Sequence, residues 1–366
     1  MIISVKPPIV NFVPDTLSSE TAPMSEQPAK QRPVTLLNVA RLAGVSTATV
    51  SRALEKPQSV AKATRARVME AVAACGYTPN IVARNLRKQE TRLITILLAD
   101  VTNPFFNEIV RGIEQVAREN GYSVLLADSE NDPGQENAYG RLLATKRTDG
   151  MILLNGRMPS GLQLPSEKSV DFPIVVACEY LSNVDLPTVQ IDNIAAAKQA
   201  TEHLLKLGHR RIGFITGPVW NVLSRDRLHG YRDAILEGGQ AFDQSLIVNG
   251  DFSIRSGIAA TESLLNLPSP PTAIFASNDE MAFGAIRAVR DAGLRVPGDM
   301  SVVGFDDIRF AAFFDPPLTT IRQPGQEIGR WAMAHLIKIL GGEQVADRRV
   351  SLPTELIVRG STAPPR

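Results

Sequence analysis

From Leu93 onward, short apolar runs alternate with stretches of helical period, and this alternation restricts the possible folds more than any other feature of the chain. LITILLA at Leu93 is a continuous apolar run of the kind found in strands buried on both faces. Asn103-Pro104 then opens a helix that carries Phe105, Phe106, Ile109 and Val116 and stops at Gly121, after which SVLLA is the next strand. The unit recurs with a helix near Gln135 to Lys146 and strands MILL at Met151, IVVA at Ile174 and VQI at Val189. A second series follows: a helix from Ile194 to Leu207, the strand RIGFIT, a helix from Arg225 to Leu236, and the strands AIFA at Ala273 and SVVGF at Ser301. Such alternation predicts parallel, doubly wound α/β architecture, and about 270 residues of it predict two lobes. Ligands of such sheets bind beyond the carboxyl ends of the strands, here between the lobes.

Ahead of this region, Thr35 to Leu54 (TLLNVARLAGVSTATVSRAL) packs two short helical patterns against one tight turn. Thr35 is placed to cap the first helix, and Val39, Leu42 and Ala43 recur at the spacing that buries one face. Gly44-Val45-Ser46 breaks the pattern, and Ser46 is suited to cap a second helix from Thr47 to Leu54 with Val50, Ala53 and Leu54 inward. Thr47, Ala48, Ser51 and Arg52 are then left outside, a small, hydrogen-bonding face with one arginine and no large acidic residue, which suits a DNA major groove. Thr64 is expected to cap a third helix whose Val68, Val72 and Ala73 complete the core and which stops at Gly76. An ordinary αα-hairpin shares the turn, so the reading rests also on charge.

Lys30 to Glu90 holds eleven basic against three acidic residues, a net of +8, which leaves −7 for the remainder of a chain whose total is +1. That segregation is expected of a phosphate-binding module joined to a domain that avoids DNA. Cys75 and Cys178 lack metal-like spacing, and the four histidines, His203, His209, His229 and His335, show none either, so no metal or cofactor is expected. No apolar run reaches membrane-spanning length and no signal-peptide pattern opens the chain, so a cytoplasmic protein is expected. Residues 1–32 read as a disordered leader, with Met24-Ser25 an alternative start. No GxGxxG follows the first strand, and GxxxxGK[ST], HExxH and GxSxG are absent, so an enzyme is not expected.

VARLAGVSTATVSRAL, TRARVMEAVAACGYTPN and NIVARNLR resemble the lactose-repressor (LacI-type) family of bacterial transcription regulators. The likeness continues through NPFFNEIVRGIE, VQIDN, GHRRIGFITGP, PTAIFASNDEMAFGAI, VPGDMSVVGFDDI and PPLTTIRQP, so it spans about Val34 to Thr362. VSTATVSRAL, the GDF at Gly250 to Phe252 and ELIVRGST resemble the family's cytidine-repressor branch. The resemblance implies a three-helix helix-turn-helix domain at 33–79, a hinge at 80–91 and a two-lobed, periplasmic-binding-protein-like effector and dimerisation domain at 92–362. It implies DNA contacts from Thr35, Leu36, Ser46, Thr47, Ala48, Thr49, Ser51, Arg52 and Thr64. In the hinge it implies contacts from Asn80, Ala83, Arg84 and Leu86, the last as a minor-groove wedge in a segment that folds only on DNA. A homodimer on a palindromic double-stranded operator is expected, and ELIVRGSTAPPR lacks the apolar heptad of a tetramerising coiled coil.

Several residues fall just after strands, where an interlobe cleft would lie: Phe105 and Phe106, Cys178 and Glu179, Asp279, Asp306 and Asp307, with Phe252 after a short extended stretch and Arg227 opening a helix. Flat aromatic faces joined to carboxylates and a guanidinium suit sugars and nucleosides. The resemblance supports Phe105, Phe106, Arg227, Phe252, Asp279 and Asp306 as effector contacts, while Cys178 stands where many relatives place Asp or Asn. Phe106 as core packing and Asp307 as a helix cap are the structural alternatives, and Trp220 and Trp331 read as packing anchors. The function expected is a transcriptional repressor controlled by a small nucleoside or sugar. A pentose or hexose regulator is the second reading, and a sugar-binding transport component, which shares the lobed fold, is the third.

Overall fold

The computed structural model describes residues 34–78, 90–162, 172–181 and 184–366. The leader at 1–32 and the hinge residues Asn80, Ala83, Arg84 and Leu86 lie outside the described residues. Contacts divide the chain into two units, Met1–Ile81 and Val82–Arg366.

The first unit contains α1 (Leu36–Ala43), α2 (Thr47–Glu55) and α3 (Lys62–Cys75). Its core is Val39, Ala40, Ala43, Val50, Ala53, Val68 and Ala71. Two expected core positions differ. Leu42 is 59% exposed because the buried arc of α1 runs from Val39 through Ala43 to Ala40, and at roughly 100° per residue Leu42 falls beyond its edge. In α3 the same geometry buries Val68 and Ala71 and turns Ala73 outward. Thr64 is not a cap: α3 starts two residues earlier, and its first turn is closed by the Ala61 carbonyl, which accepts from Arg65 N at 2.9 Å.

Among the described residues the second unit holds two six-stranded sheets. In the first lobe the strands are β1 (Leu93–Leu98), β2 (Ser123–Asp128), β3 (Gly150–Leu153), β4 (Ile174–Ala177) and β5 (Thr188–Ile191), with helices α4 (Pro104–Glu119) and α5 (Pro133–Ala144). The second lobe is built from α6 (Asn193–Lys206), β6 (Ile212–Thr216), α7 (Val222–Glu237), β7 (Ile247–Asn249), α8 (Ile254–Leu265), β8 (Ala273–Ala276), α9 (Asp279–Asp291), β9 (Ser301–Asp306) and β10 (Thr319–Arg322). The remaining elements are α10 (Gly325–Leu340), β11 (Arg349–Leu352) and β12 (Glu355–Ile357). Sheet orders are β11-β5-β4-β3-β1-β2 and β12-β10-β9-β8-β6-β7. Among the described residues every strand pairing is parallel except β12 against β10; β12 follows β11 by a two-residue step and enters from the opposite direction.

The lobes are therefore not consecutive in sequence. After β10 the chain returns to the first lobe, where α10 packs on α4 and β11 extends the sheet beside β5. The α4–α10 crossing is close because a β-carbon at Gly112 would overlap the Gln326 carbonyl and one at Gly329 would overlap that of Ile109. Strands β1, β3, β4, β6, β8 and β9 are buried almost throughout, as parallel strands covered by helices on both faces must be. His209 ties the C-terminal tail to this core: its ring bonds Thr272 Oγ1 at 2.8 Å, Ser301 Oγ at 3.1 Å and the Ala363 carbonyl at 2.9 Å.

Candidate functional site

In the first unit the turn between α1 and α2 is built from local chemistry. Thr35 donates its N–H to Asn38 Oδ1 at 2.9 Å, fastening the start of α1. Gly44 adopts a left-handed conformation at φ 63°, and its N–H and that of Val45 close the end of α1 on the Ala40 carbonyl. Ser46 Oγ accepts from Thr49 N at 3.1 Å and caps α2. Thr47, Ala48 and Arg52 are exposed, while Thr49, Ser51, Leu36 and Thr64 are half-buried. Arg52 Nε donates to the Ala48 carbonyl of its own helix at 3.4 Å, and among the described residues no carboxylate pairs with it. The helix runs one residue further than expected, to Glu55, whose carboxylate accepts from Ser51 Oγ at 3.3 Å and gives the outer face one acidic group.

In the second unit a cavity of about 700 Å³, counted to its open mouth, lies between the lobes at the carboxyl ends of the strands. The first lobe contributes Phe105 and Phe106, whose ring centroids are 6.2 Å apart, together with Asp100, Asn131, Cys178 and Glu179. Asn103 places the two phenylalanines by capping α4 through Phe105 N at 3.0 Å. The second lobe contributes Trp220, Asn221, Arg227, Phe252, Asn278 and Asp306, and Gln323 comes from the crossover after β10. Cys178, Phe252 and Asp306 have left-handed backbones at φ 68°, 73° and 116°, a concentration of strain around one site.

Arg227 and Asp306 form the deep end. Arg227 lies in the second turn of α7, not at its start, because Asn221 caps that helix through Leu223 N at 2.8 Å and Ser224 N at 3.3 Å. Its guanidinium lies 3.7 Å from the Phe305 ring centroid, donates Nε to Asn193 Oδ1 at 3.0 Å and Nη1 to the Ser277 carbonyl, and stands 4.0 Å from Asp306 Oδ1. Gln323 Nε2 donates to the same carboxylate oxygen at 2.7 Å. Burial raises the Asp306 carboxyl despite Arg227 and Gln323, and burial lowers Arg227. The pair is thus close but not in contact, which leaves both groups able to bind a hydroxyl set between them.

Across the cavity Glu179 Oε1 accepts from Asn221 Nδ2 at 3.1 Å, a bond that joins the two lobes. Burial pushes the Glu179 carboxyl up to about 7 and also pushes the Cys178 thiol up. Phe252 approaches Gly217 so closely that a β-carbon there would overlap its ring.

One proposed effector contact, Asp279, lies elsewhere, and the readings of Asp307 as a helix cap and of Trp220 as a packing anchor change. Asp279 does not line the cavity: it is fully buried, accepting from Ile308 N at 2.8 Å and Thr320 Oγ1 at 2.5 Å, and so ties down the loop that follows Asp306 at the end of β9. Asp307 caps no helix; it pairs with Arg322 and Arg359, each at 2.7 Å. Trp220 is not a packing anchor but a half-exposed part of the cavity rim. Sequence reasoning missed Asn221 and Gln323. Asn221 was legible as a cap after Gly217-Pro218, whereas Gln323 depends on a crossover that no local pattern marks. Among the described residues no cluster of His, Cys, Asp and Glu could hold a metal ion, and no helix is long and apolar enough to cross a membrane.

The pattern of the lacI family of bacterial regulatory proteins matches residues 35–80, and that of a periplasmic binding protein-like domain matches residues 201–362. Over 328 residues the chain is 44% identical to the HTH-type transcriptional repressor CytR of Escherichia coli (strain K12), covering 90% of this chain and 96% of that protein. The chain belongs to the lacI family. It is 38% identical to the Ribose operon repressor of the same organism over 89% of this chain and 99% of that one. The lac repressor dimer bound to operator and the anti-inducer ONPF superposes with a TM-score of 0.81 at 29% identity, covering 91% of this chain and all of that one. As a member of this family the chain is a DNA-binding transcriptional repressor with an N-terminal helix-turn-helix and an effector-binding, periplasmic-binding-like domain.

Proposed function

We propose that this repressor is a cytoplasmic homodimer that reads a palindromic operator and changes its operator affinity when a small nucleoside binds between the lobes of residues 92–362. A free pentose or hexose is the second reading. The observation that carries the effector reading is the pairing of aromatic walls, Phe105, Phe106 and Phe252, with the buried Arg227–Asp306 pair at the deep end of one cavity. Charged partners make the strongest hydrogen bonds to hydroxyls and a flat apolar face covers a ring, and the cavity lining includes both kinds of group. Arg52 is the principal base-reading residue of the 33–79 domain, and the 80–91 hinge, with Leu86 as its wedge, joins operator reading to the effector domain. A dimer is supported by Phe310 and Phe313, two exposed aromatics on the segment after β9. An effector that favours one lobe arrangement must shift operator affinity, and operator must shift effector affinity by the same factor.

The test is a thermal-shift panel of nucleosides, bases and sugars, followed by calorimetry on Arg227→Ala and Asp306→Ala. Binding that falls at least tenfold in both variants is expected. A ligand that raises the melting temperature of the parent and binds both variants equally well would overturn the cavity assignment.

A further inference from the structure

The cavity has a deep polar end and a shallow aromatic one. Arg227 and Asp306 are 3% and 7% exposed, whereas Trp220, which lines the same cavity, is 47% exposed at its mouth. Trp220 sits in the turn between β6 and α7 on the second lobe, yet the group stacked on its indole comes from the first: the Arg157 guanidinium carbon is 4.5 Å from the ring centroid. Arg157 is itself anchored. Its Nη2 lies 2.8 Å from Oε1 of the buried Glu136 and donates to the Asn131 carbonyl at 3.0 Å. Trp220 lines the cavity and Arg157 does not.

An indole fixed on one face by a cation offers its other face to a ligand, and a flat ring uses that face best. We infer that Trp220 is the stacking platform for the base of a nucleoside, whose ribose points inward to Arg227 and Asp306, and that Arg157 holds the platform in place from the opposite lobe. The inference rests on the effector reading above and narrows it. A ribose seated on Arg227 and Asp306 satisfies the deep end alone, while a nucleoside spans from there to the mouth. Because platform and clamp belong to different lobes, the stacking surface is complete only while the lobes hold this arrangement. The effector's base thereby reports on lobe closure.

Calorimetry of cytidine, adenosine and D-ribose with the full chain, Trp220→Leu and Arg157→Gln tests this. Base–aromatic stacking predicts that Trp220→Leu weakens nucleoside binding by about 10- to 100-fold and changes ribose binding by less than about twofold. Arg157→Gln, which frees the indole without removing it, should show the same pattern at smaller size. The nucleoside-induced change in tryptophan emission should vanish in Trp220→Leu even though Trp331 remains. Nucleoside affinity unchanged in Trp220→Leu, or nucleoside and ribose affinity reduced equally, overturns the platform while leaving the cavity in place. Failure of the parent chain to bind any of the three probes overturns the effector reading and the platform with it.

Discussion

Replacing Glu179 by glutamine isolates a pH dependence that burial imposes on this fold. The Glu179 carboxylate is buried, accepts from Asn221 Nδ2 at 3.1 Å, and packs so tightly on Gly156 that a β-carbon there would overlap Oε2. Burial pushes the carboxyl up to about 7; the Asn221 bond, Arg227 and Arg157 oppose that rise, and Glu136 adds to it. In the unfolded chain a glutamate titrates near ~4.3. Between these two values the folded state holds the proton and the unfolded state does not, so stability falls as pH rises, by ~1.4 kcal/mol for each unit of pH in the window. From about pH 5.5 to 8 the loss is ~2 kcal/mol, or roughly 4–8 °C in Tm for a unit of this size. Glutamine fills the same volume, still accepts from Asn221 and does not titrate. His203, His209 and His335 act in the opposite sense, because burial lowers their pKa values and the fold loses stability as they protonate at low pH. The informative quantity is therefore the difference between the parent and Glu179→Gln in scanning calorimetry. The parent should lose several degrees relative to the variant as pH rises across the window. Parallel profiles, separated by a constant within about one degree, would refute the claim that Glu179 is folded in its protonated form.

Three further outcomes are expected. Arg52→Ala should cost ~1–3 kcal/mol of specific operator binding and relax sequence preference, whereas Lys62→Ala should weaken all sequences alike and flatten the salt dependence, both read by gel-shift titration at several salt concentrations. Gly217→Ala places a β-carbon where the Phe252 ring lies, so calorimetry should show effector affinity reduced by about tenfold or more, from displacement of that wall. Phe313 is 88% exposed, and Phe313→Asp should shift the sedimentation profile from dimer toward monomer at micromolar concentration; an unchanged dimer would remove this surface from the interface.

The order of strands and helices was legible in the sequence because buried parallel strands leave continuous apolar runs: each of LITILLA, IVVA, RIGFIT, AIFA and SVVGF is a strand. The return of α10 and β11 to the first lobe was not legible. It depends on close packing at Gly112 and Gly329 across more than two hundred residues of sequence, and periodicity carries no record of that. Ser46 and Gly44 could be read because capping and a left-handed turn are local. The displacement of Thr64 by Ala61 as the start of α3 could not, since there a backbone carbonyl does what a side chain was expected to do. At the cavity, position after a strand identified the residues near the site but not their direction. Asp279 and Asp306 look alike in sequence, yet one turns into the protein toward Thr320 and the other faces Arg227.

Cavity ligand and operator are linked through this chain, each changing the affinity for the other. Fluorescence anisotropy of a labelled palindromic operator, titrated with the repressor with and without saturating nucleoside, tests it most directly. A change in operator affinity of roughly 5- to 150-fold is expected, matched by an equal change in nucleoside affinity when operator is present, and abolished by Arg227→Ala. Identical operator titration curves with and without a nucleoside that calorimetry shows to be bound would mean that cavity and operator are not coupled.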